Sequence, residues 1–240
     1  MPSFYYPQLS KDSTELILEN EEFHHLSRVK RIGADAMIKI TGGNGLVAEC
    51  KVLELGKRRA SLEPVKILEH LMPEPDFAIA FALLKNHHDE MVVEKCTELG
   101  VSEFFPIITE HTVRDEGRNT VARFEKIALA AIKQCDNPWL PKLHSVLPLA
   151  EALAEMVEQG FQPLLCSEKE QLTWLSNIRI TGRPCFIIGP EGGFSEAEHV
   201  LMQDIASICI SRLIMRAETA AICVASQFQL LRESRQGSQA

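Results

Sequence analysis

From Phe77 onward, short apolar runs alternate with amphipathic stretches, and that order leaves few folds open to the chain. Phe77 to Leu84 is a continuous apolar run, as expected of a strand buried on both faces. A helix is predicted from about Asn86 to Leu99, with Val92, Cys96 and Leu99 on one face and Gly100 as its stop. Val101 to Ile108 reads as strand and Phe124 to Ile132 as helix, striped by Phe124, Ile127, Ala128 and Ala131. Further on, helices are predicted at Leu149 to Val157, Ser195 to Ile205 and Glu218 to Leu231, and strands at Phe161 to Cys166, Cys185 to Ile188 and Ile208 to Ile210. Such alternation implies an α/β domain with a mostly parallel sheet covered by helices. A polar tail runs from Glu233 to Ala240.

The first part of the chain reads differently. Ala36 to Ile40 and Leu46 to Leu53 flank Gly42-Gly43-Asn44-Gly45, a hairpin signal. Another strand fits Ala60 to Leu68, and a short helix fits Glu21 to Val29. Residues 1–70 are therefore expected to form a small β-barrel domain. Pro73 and Pro75 mark residues 71–76 as a linker, because proline suits neither helix nor ladder. Residues 77–240 form the α/β domain.

Composition narrows the class of function. The 240-residue chain is 45% hydrophobic and 24% charged, ordinary for a soluble protein. It has no long uncharged apolar stretch, so no membrane span is expected, and no secretory signal is visible at Met1 to Tyr6. The seven cysteines include no Cys-x-x-Cys pair, which disfavours a disulfide framework or zinc site and suits a reducing cytoplasm. The net charge of −8 argues against broad nonspecific nucleic-acid binding. Residues 1–70 are nonetheless neutral, with ten basic and ten acidic side chains, so an RNA surface belongs there or in a local patch.

The most informative stretch is Phe186-Ile187-Ile188-Gly189-Pro190-Glu191-Gly192-Gly193-Phe194-Ser195-Glu196-Ala197-Glu198. A strand enters a glycine-rich turn, and Ser195 with Glu198 has the spacing of a capping box. Ligands of parallel sheets bind at the carboxyl ends of strands, where this turn must lie. The phosphate-loop and dinucleotide glycine patterns are absent, and Glu191 would repel a polyphosphate. A ligand with a ribose, an adenine and a positive sulfonium fits better; a tight turn without ligand would use the same glycines. A second stretch, Ile210-Ser211-Arg212-Leu213-Ile214-Met215-Arg216-Ala217-Glu218-Thr219-Ala220, also passes from strand to helix. Two such turns in succession form one pocket, although Arg216 read alone also suits a solvated ion pair. No metal is expected, since neighbouring His87 and His88 on a helix do not face one site.

Taken together, these residues resemble the ribosomal small-subunit methyltransferase E family of the SPOUT superfamily. The resemblance spans residues 4–231. It is carried by Leu84-Lys85, Glu90, Lys95 to Val101, Ala130 to Gln134, Ile187 to Gly193 and Arg216 to Ala220, with His25, Arg28, Val29, Arg31 and Gly33 in the N-terminal part. It implies an N-terminal PUA-like RNA-binding barrel and a C-terminal α/β domain with a deep trefoil knot. It also implies a homodimer and methylation of N3 of a uridine in 16S ribosomal RNA by S-adenosylmethionine. The chain departs from the family's usual Leu-Gly-Pro-Arg at Ile210 to Leu213, from a usual arginine after Gln134, and from an Asp and a basic residue at His87 and His88.

The site implied is specific. Leu165 and Cys166 form one wall, Ile188, Gly189, Pro190, Gly192 and Gly193 a second, and Ile210, Ser211, Leu213, Met215, Ala217 and Thr219 a third. Arg216 stabilises charge developing on the uracil oxygens, and Glu191 is the candidate proton acceptor. Arg28, Lys30, Arg31, Lys85 and Gln134 are the expected RNA contacts. A SPOUT enzyme acting on transfer RNA, a noncatalytic RNA-binding assembly factor and a nucleotide-binding regulator are the alternatives.

Overall fold

A computed structural model of the chain describes residues 1–113, 117 and 119–237, with side chains in the last helix described through 234; residues 238–240 of the polar tail lie outside. The chain divides into two compact units, Met1–Met72 with Leu129–Leu140, and Pro73–Ala128 with Pro141–Ala240.

The first unit contains β1 (Ser3–Tyr5), β2 (Leu16–Glu19), α1 (Asn20–His24), β3 (Met37–Thr41), β4 (Leu46–Leu55) and β5 (Arg59–Glu69). Its five strands are ordered β1-β3-β4-β5-β2. β1 runs parallel to β3, and the other pairs are antiparallel. The register of β4 against β5 shifts between Glu49 and Cys50 and again between Val52 and Glu54. Such bulges bend a strand, and here they curl the sheet around Phe4, Leu16, Ile38, Cys50, Val52 and Leu62.

The predicted hairpin turn is present, and glycine is required in it. Gly45 has φ of 90°, and a Cβ there would meet the Trp139 ring at 2.4 Å. Residues 129–140, which sequence reading assigns to the α/β domain, pack with this first unit. Leu140 N–H donates to the Gly43 carbonyl at 2.9 Å, and Lys133 pairs with Glu22 at 2.6 Å.

The second unit contains β6 (Ala78–Ala82), α2 (His88–Glu98), β7 (Glu103–Ile108), the start of α3 (Thr120–Cys135), β8 (Lys142–Leu143), β9 (Leu147–Pro148), α4 (Leu149–Glu158), β10 (Phe161–Cys166), β11 (Arg183–Ile188), α5 (Glu196–Leu201), β12 (Ser207–Ile208) and α6 (Ala217–Gly237). The sheet order is β12-β10-β11-β6-β7-β8, with β9 also on β7. Among the described residues every ladder of this sheet is parallel.

The period of two along β6 explains the layering. Ala78, Ala80 and Ala82 join the core that includes Leu149, Ala152, Leu153 and Met156 of α4. Phe77 and Phe81 alternate with them: Phe81 stacks edge-on against Phe124 at 5.7 Å, and Phe77 lies 4.9 Å from Phe228 of α6. Because the strands are parallel, the segments following β6, β7, β10, β11 and β12 all emerge at one edge of the sheet.

Candidate functional site

Three of those segments enclose a cleft of about 400 Å³. Leu165 and Cys166 end β10 and form one side with Ser167 and Glu168. Ile188, Gly189, Pro190, Glu191 and Gly193 form the second side, and Met215, Arg216 and Ala217 the third.

The loop after β11 is shaped by packing and by its helix. A Cβ on Gly189 would meet the Phe194 ring at 2.8 Å, so only glycine lets that ring lie across the backbone. Gly193 has φ of 71°, in the region that favours glycine, and its N–H donates to the Pro190 carbonyl at 2.9 Å. The capping box is formed: Ser195 Oγ accepts from Glu198 N–H at 3.3 Å, and Glu198 Oε2 accepts from Ser195 N–H at 2.8 Å.

Neighbouring loops clamp this turn. Glu191 Oε1 accepts the Lys85 backbone N–H at 3.2 Å, and Glu198 Oε1 accepts that of Glu110 at 2.8 Å. His111 Nδ1 lies 3.2 Å from the Gly192 carbonyl and 3.0 Å from that of Gly193. The loop after β12 is held by Gln227, whose Nε2 donates to the Ile210 carbonyl at 2.8 Å.

Five of the expected wall residues stand elsewhere. Gly192 turns to His111, whose Cβ is 3.0 Å from where a glycine Cβ would be. Ile210 is buried beneath the loop, Leu213 is 78% exposed, Ser211 Oγ caps the Leu213 N–H at 3.0 Å, and Thr219 points outward from the first turn of α6. None of the five lines the cleft. Sequence reading missed Ser167, Glu168, Phe194, His199, Ile214 and Ala220, which do line it. Ser167 and Glu168 directly follow the end of β10, so the strand-end rule alone would have found them.

Burial pushes the Cys166 thiol well above its ordinary range, with Cys223 adding to the effect, so this wall carries a neutral thiol rather than a nucleophile. His87 and His88 turn apart, since His87 has φ of 60° and lies outside α2. His87 Nδ1 is 2.8 Å from Glu90 Oε1, and His88 Nδ1 is 3.3 Å from Glu218 Oε1. One ligand atom each from His87, Asp89 and Glu90 lie within 4.8 Å of one another, but Glu90 already pairs with Arg123 at 2.8 Å.

Of the expected RNA contacts, Arg28, Lys30 and Arg31 are exposed on the turn that follows α1, anchored by buried Leu26, whose carbonyl accepts from Ile32 N–H at 3.1 Å. Gln134 is exposed on α3 within the first unit, and Lys85 is exposed in the second. Among the described residues no helix is long and apolar enough to cross a membrane.

Comparison with known proteins agrees with this geometry. Residues 72–229 match the RNA methyltransferase domain family, and residues 18–65 match the RNA methyltransferase PUA domain. A ribosomal RNA small subunit methyltransferase E of Mesomycoplasma hyopneumoniae is 30% identical over 65% of this chain and 70% of its own length. Its counterpart from Synechocystis is 27% identical over 90% of this chain and 73% of its own length. The fold is shared with the crystal structure of ribosomal RNA small subunit methyltransferase E from Neisseria gonorrhoeae bound to S-adenosyl methionine, at a TM-score of 0.88 and 24% identity, covering 96% of this chain and 98% of that one.

Proposed function

This chain belongs to the RNA methyltransferase domain family, among the ribosomal RNA small subunit methyltransferase E proteins, and on that premise we propose that it transfers the methyl group of S-adenosylmethionine to N3 of a uridine in 16S ribosomal RNA. The observation that carries this reading is the convergence of three strand-end loops on one cleft that combines apolar walls with Glu168, Glu191 and Arg216.

The cleft's chemistry fits the methyl donor. Gly193 lines it with bare backbone, since a Cβ there would meet no atom within 4 Å. Leu165, Ile188 and Met215 would hold a flat apolar ring, and the Glu168 carboxylate would accept ribose hydroxyl hydrogens. When bound, S-adenosylmethionine supplies an electrophilic methyl on a positive sulfur, which carboxylates tolerate better than they tolerate phosphates. The chain's part is then to position a uracil in line with that methyl and to manage one proton. N3 of uridine carries a hydrogen and is a poor nucleophile until it leaves. Arg216, on the cleft wall, stabilises the negative charge that spreads to the uracil oxygens. The Glu191 carboxylate and the His111 imidazole both stand by the loop that bounds the cleft, and both can accept a proton.

The two parts of the chain divide the work. In this proposal residues 1–70 form the RNA-binding domain, with Arg28, Lys30 and Arg31 neutralising phosphates, 71–76 is the linker, and 77–240 carries the transfer. Gln134 and Lys85 add RNA contacts. Leu213 and Ile214, 78% and 85% exposed, support burial of the β12–α6 loop in a homodimer. Threading of the C-terminal part as a deep trefoil knot belongs to the same proposal. The target uridine leaves any base stack to reach the cleft, and the enzyme acts in the cytoplasm. Nucleoside mass spectrometry of small-subunit RNA from cells lacking the gene tests the reading: 3-methyluridine disappears, whereas an unchanged profile contradicts it.

A further inference from the structure

We propose that the hollow formed by Lys85 and His111 seats the target uracil, and that Nε2 of His111 takes the proton from its N3. The inference rests on the methyl-transfer reading above. The hollow has a volume of about 340 Å³ and is lined by Lys85, His111, Val113, Glu191 and Gly192. It shares Glu191 with the cleft, so an occupant of the hollow borders the methyl donor's site at that residue.

The tautomer of His111 follows from its partners. Nδ1 is within 3.2 Å of the Gly192 carbonyl oxygen and 3.0 Å of the Gly193 one. A carbonyl oxygen can only accept, so Nδ1 carries the hydrogen, and Nε2 of the neutral ring keeps its lone pair. The ring's orientation is thus set by the same backbone that bounds the cleft. The pairing edge of uracil presents acceptor, donor, acceptor, with N3–H between two carbonyl oxygens. An acceptor nitrogen beside a lysine ammonium complements that edge: Nε2 meets N3–H, and Lys85 meets one of the oxygens.

Glu191, the acceptor expected from sequence, is less suited to the role. Its Oε1 is already engaged by the Lys85 N–H at 3.2 Å. Among the described residues, charged groups beside His111 include Lys85 and Glu191 in the hollow, Glu110 immediately before it in the chain, and Glu198 of α5, whose Oε1 accepts the Glu110 N–H. The N3–H bond breaks first, its proton going to Nε2 and its electron pair remaining on N3. With the donor bound, that pair would form the bond to the methyl carbon as the S–CH3 bond breaks and its electrons stay on sulfur, so that neutral S-adenosylhomocysteine would leave. The proton on Nε2 later passes to solvent.

Two measurements on the full-length protein test this. The first is nitrogen NMR of histidine-labelled protein titrated with uridine 5′-monophosphate. The His111 Nε2 resonance, assigned by its loss in His111→Asn, should move with uridine monophosphate and stay put with the 3-methyluridine nucleotide. The second is turnover on small-subunit RNA by His111→Asn, whose amide can still donate to the two glycine carbonyls but offers nothing at the position of Nε2. We expect kcat to fall roughly 100-fold or more, the acidic limb of the rate profile to vanish, and the S-adenosylmethionine dissociation constant to stay within about twofold. Wild-type turnover and pH profile in His111→Asn, or a His111 resonance indifferent to uridine monophosphate, overturns the assignment while leaving the methyl-transfer reading intact. A wild-type protein that puts no methyl group on uridine removes both.

Discussion

Arg183 grips Asp76 with two hydrogen bonds, Nε to Oδ1 at 2.7 Å and Nη2 to Oδ2 at 2.6 Å, and reaches Glu103 Oε1 at 2.6 Å with the same Nη2. Glu103 also faces buried His144 at 2.7 Å, and His144 stacks on Phe105 at 3.8 Å. Arg183 opens β11, Glu103 opens β7 and Asp76 precedes β6, so this network lies at the amino-terminal edge of the sheet. The cleft lies at the carboxyl-terminal edge. Stability and chemistry are therefore held by different residues, which makes them separable by mutation.

Acid should weaken the fold through Glu103. Burial alone would raise its carboxyl, but hydrogen bonds from His144 and Arg183, with their charges, outweigh burial and hold it below the usual glutamate range. A carboxyl depressed in the folded state binds its proton more readily in the unfolded chain. Its contribution is therefore full above the unfolded value of about 4.3 and is lost as pH falls through the lower, folded value. Glu103→Gln should cost about 1–2 kcal/mol at neutral pH, toward the low end because Arg183 is partly exposed, and should flatten the acid side of a plot of urea midpoint against pH. A variant with wild-type acid sensitivity would show that other carboxylates dominate.

Gly189→Ala should disturb the cleft without unfolding the chain. The added methyl displaces the Phe194 ring, which packs on the core and lines the cleft. Calorimetry should show S-adenosylmethionine binding weakened by about tenfold, equivalent to roughly 1.4 kcal/mol. Unchanged affinity would mean that Phe194 does not shape the donor site.

Arg216→Ala should separate binding from chemistry. If Arg216 acts on charge that develops during transfer, donor affinity stays near wild type while kcat falls roughly 100-fold. Equal loss of both would assign the guanidinium to donor binding instead.

The strand and helix alternation was legible because a sheet covered on both faces imposes apolar runs and helical stripes on the sequence, as in Phe77 to Leu84. Ends of elements were less so. α2 begins at His88, not near Asn86, because Asn86 and His87 adopt φ of 52° and 60°. β12 stops at Ile208 because the Cys209 N–H turns aside to the Thr173 carbonyl at 2.8 Å. The place of the glycine-rich turn from Gly189 to Gly193 followed from the strand-end rule, whereas Leu165 and Ile188 as wall residues came with the family resemblance. The roles of His111, Phe194 and His199 did not, since folding alone brings them to the cleft or its bounding loop. The packing of residues 129–140 with the first unit was likewise hidden, because pairings such as Asn44 with Trp139 leave no periodic trace.

RNA affinity should depend on the turn after α1. Replacing Arg28, Lys30 and Arg31 together with alanine should weaken binding of small-subunit RNA and reduce the slope of log affinity against log salt by about 0.7 to 0.9 for each phosphate no longer neutralised. Donor affinity should not change. A salt slope equal to wild type would move the RNA surface elsewhere.

The most direct test incubates the purified protein with small-subunit RNA and isotopically labelled S-adenosylmethionine, then separates the nucleosides by mass spectrometry. Label is expected in 3-methyluridine from a single uridine, and to appear there roughly 100-fold more slowly with Arg216→Ala. Label in a different nucleoside, or none despite measured donor binding, would refute methyl transfer to uridine N3.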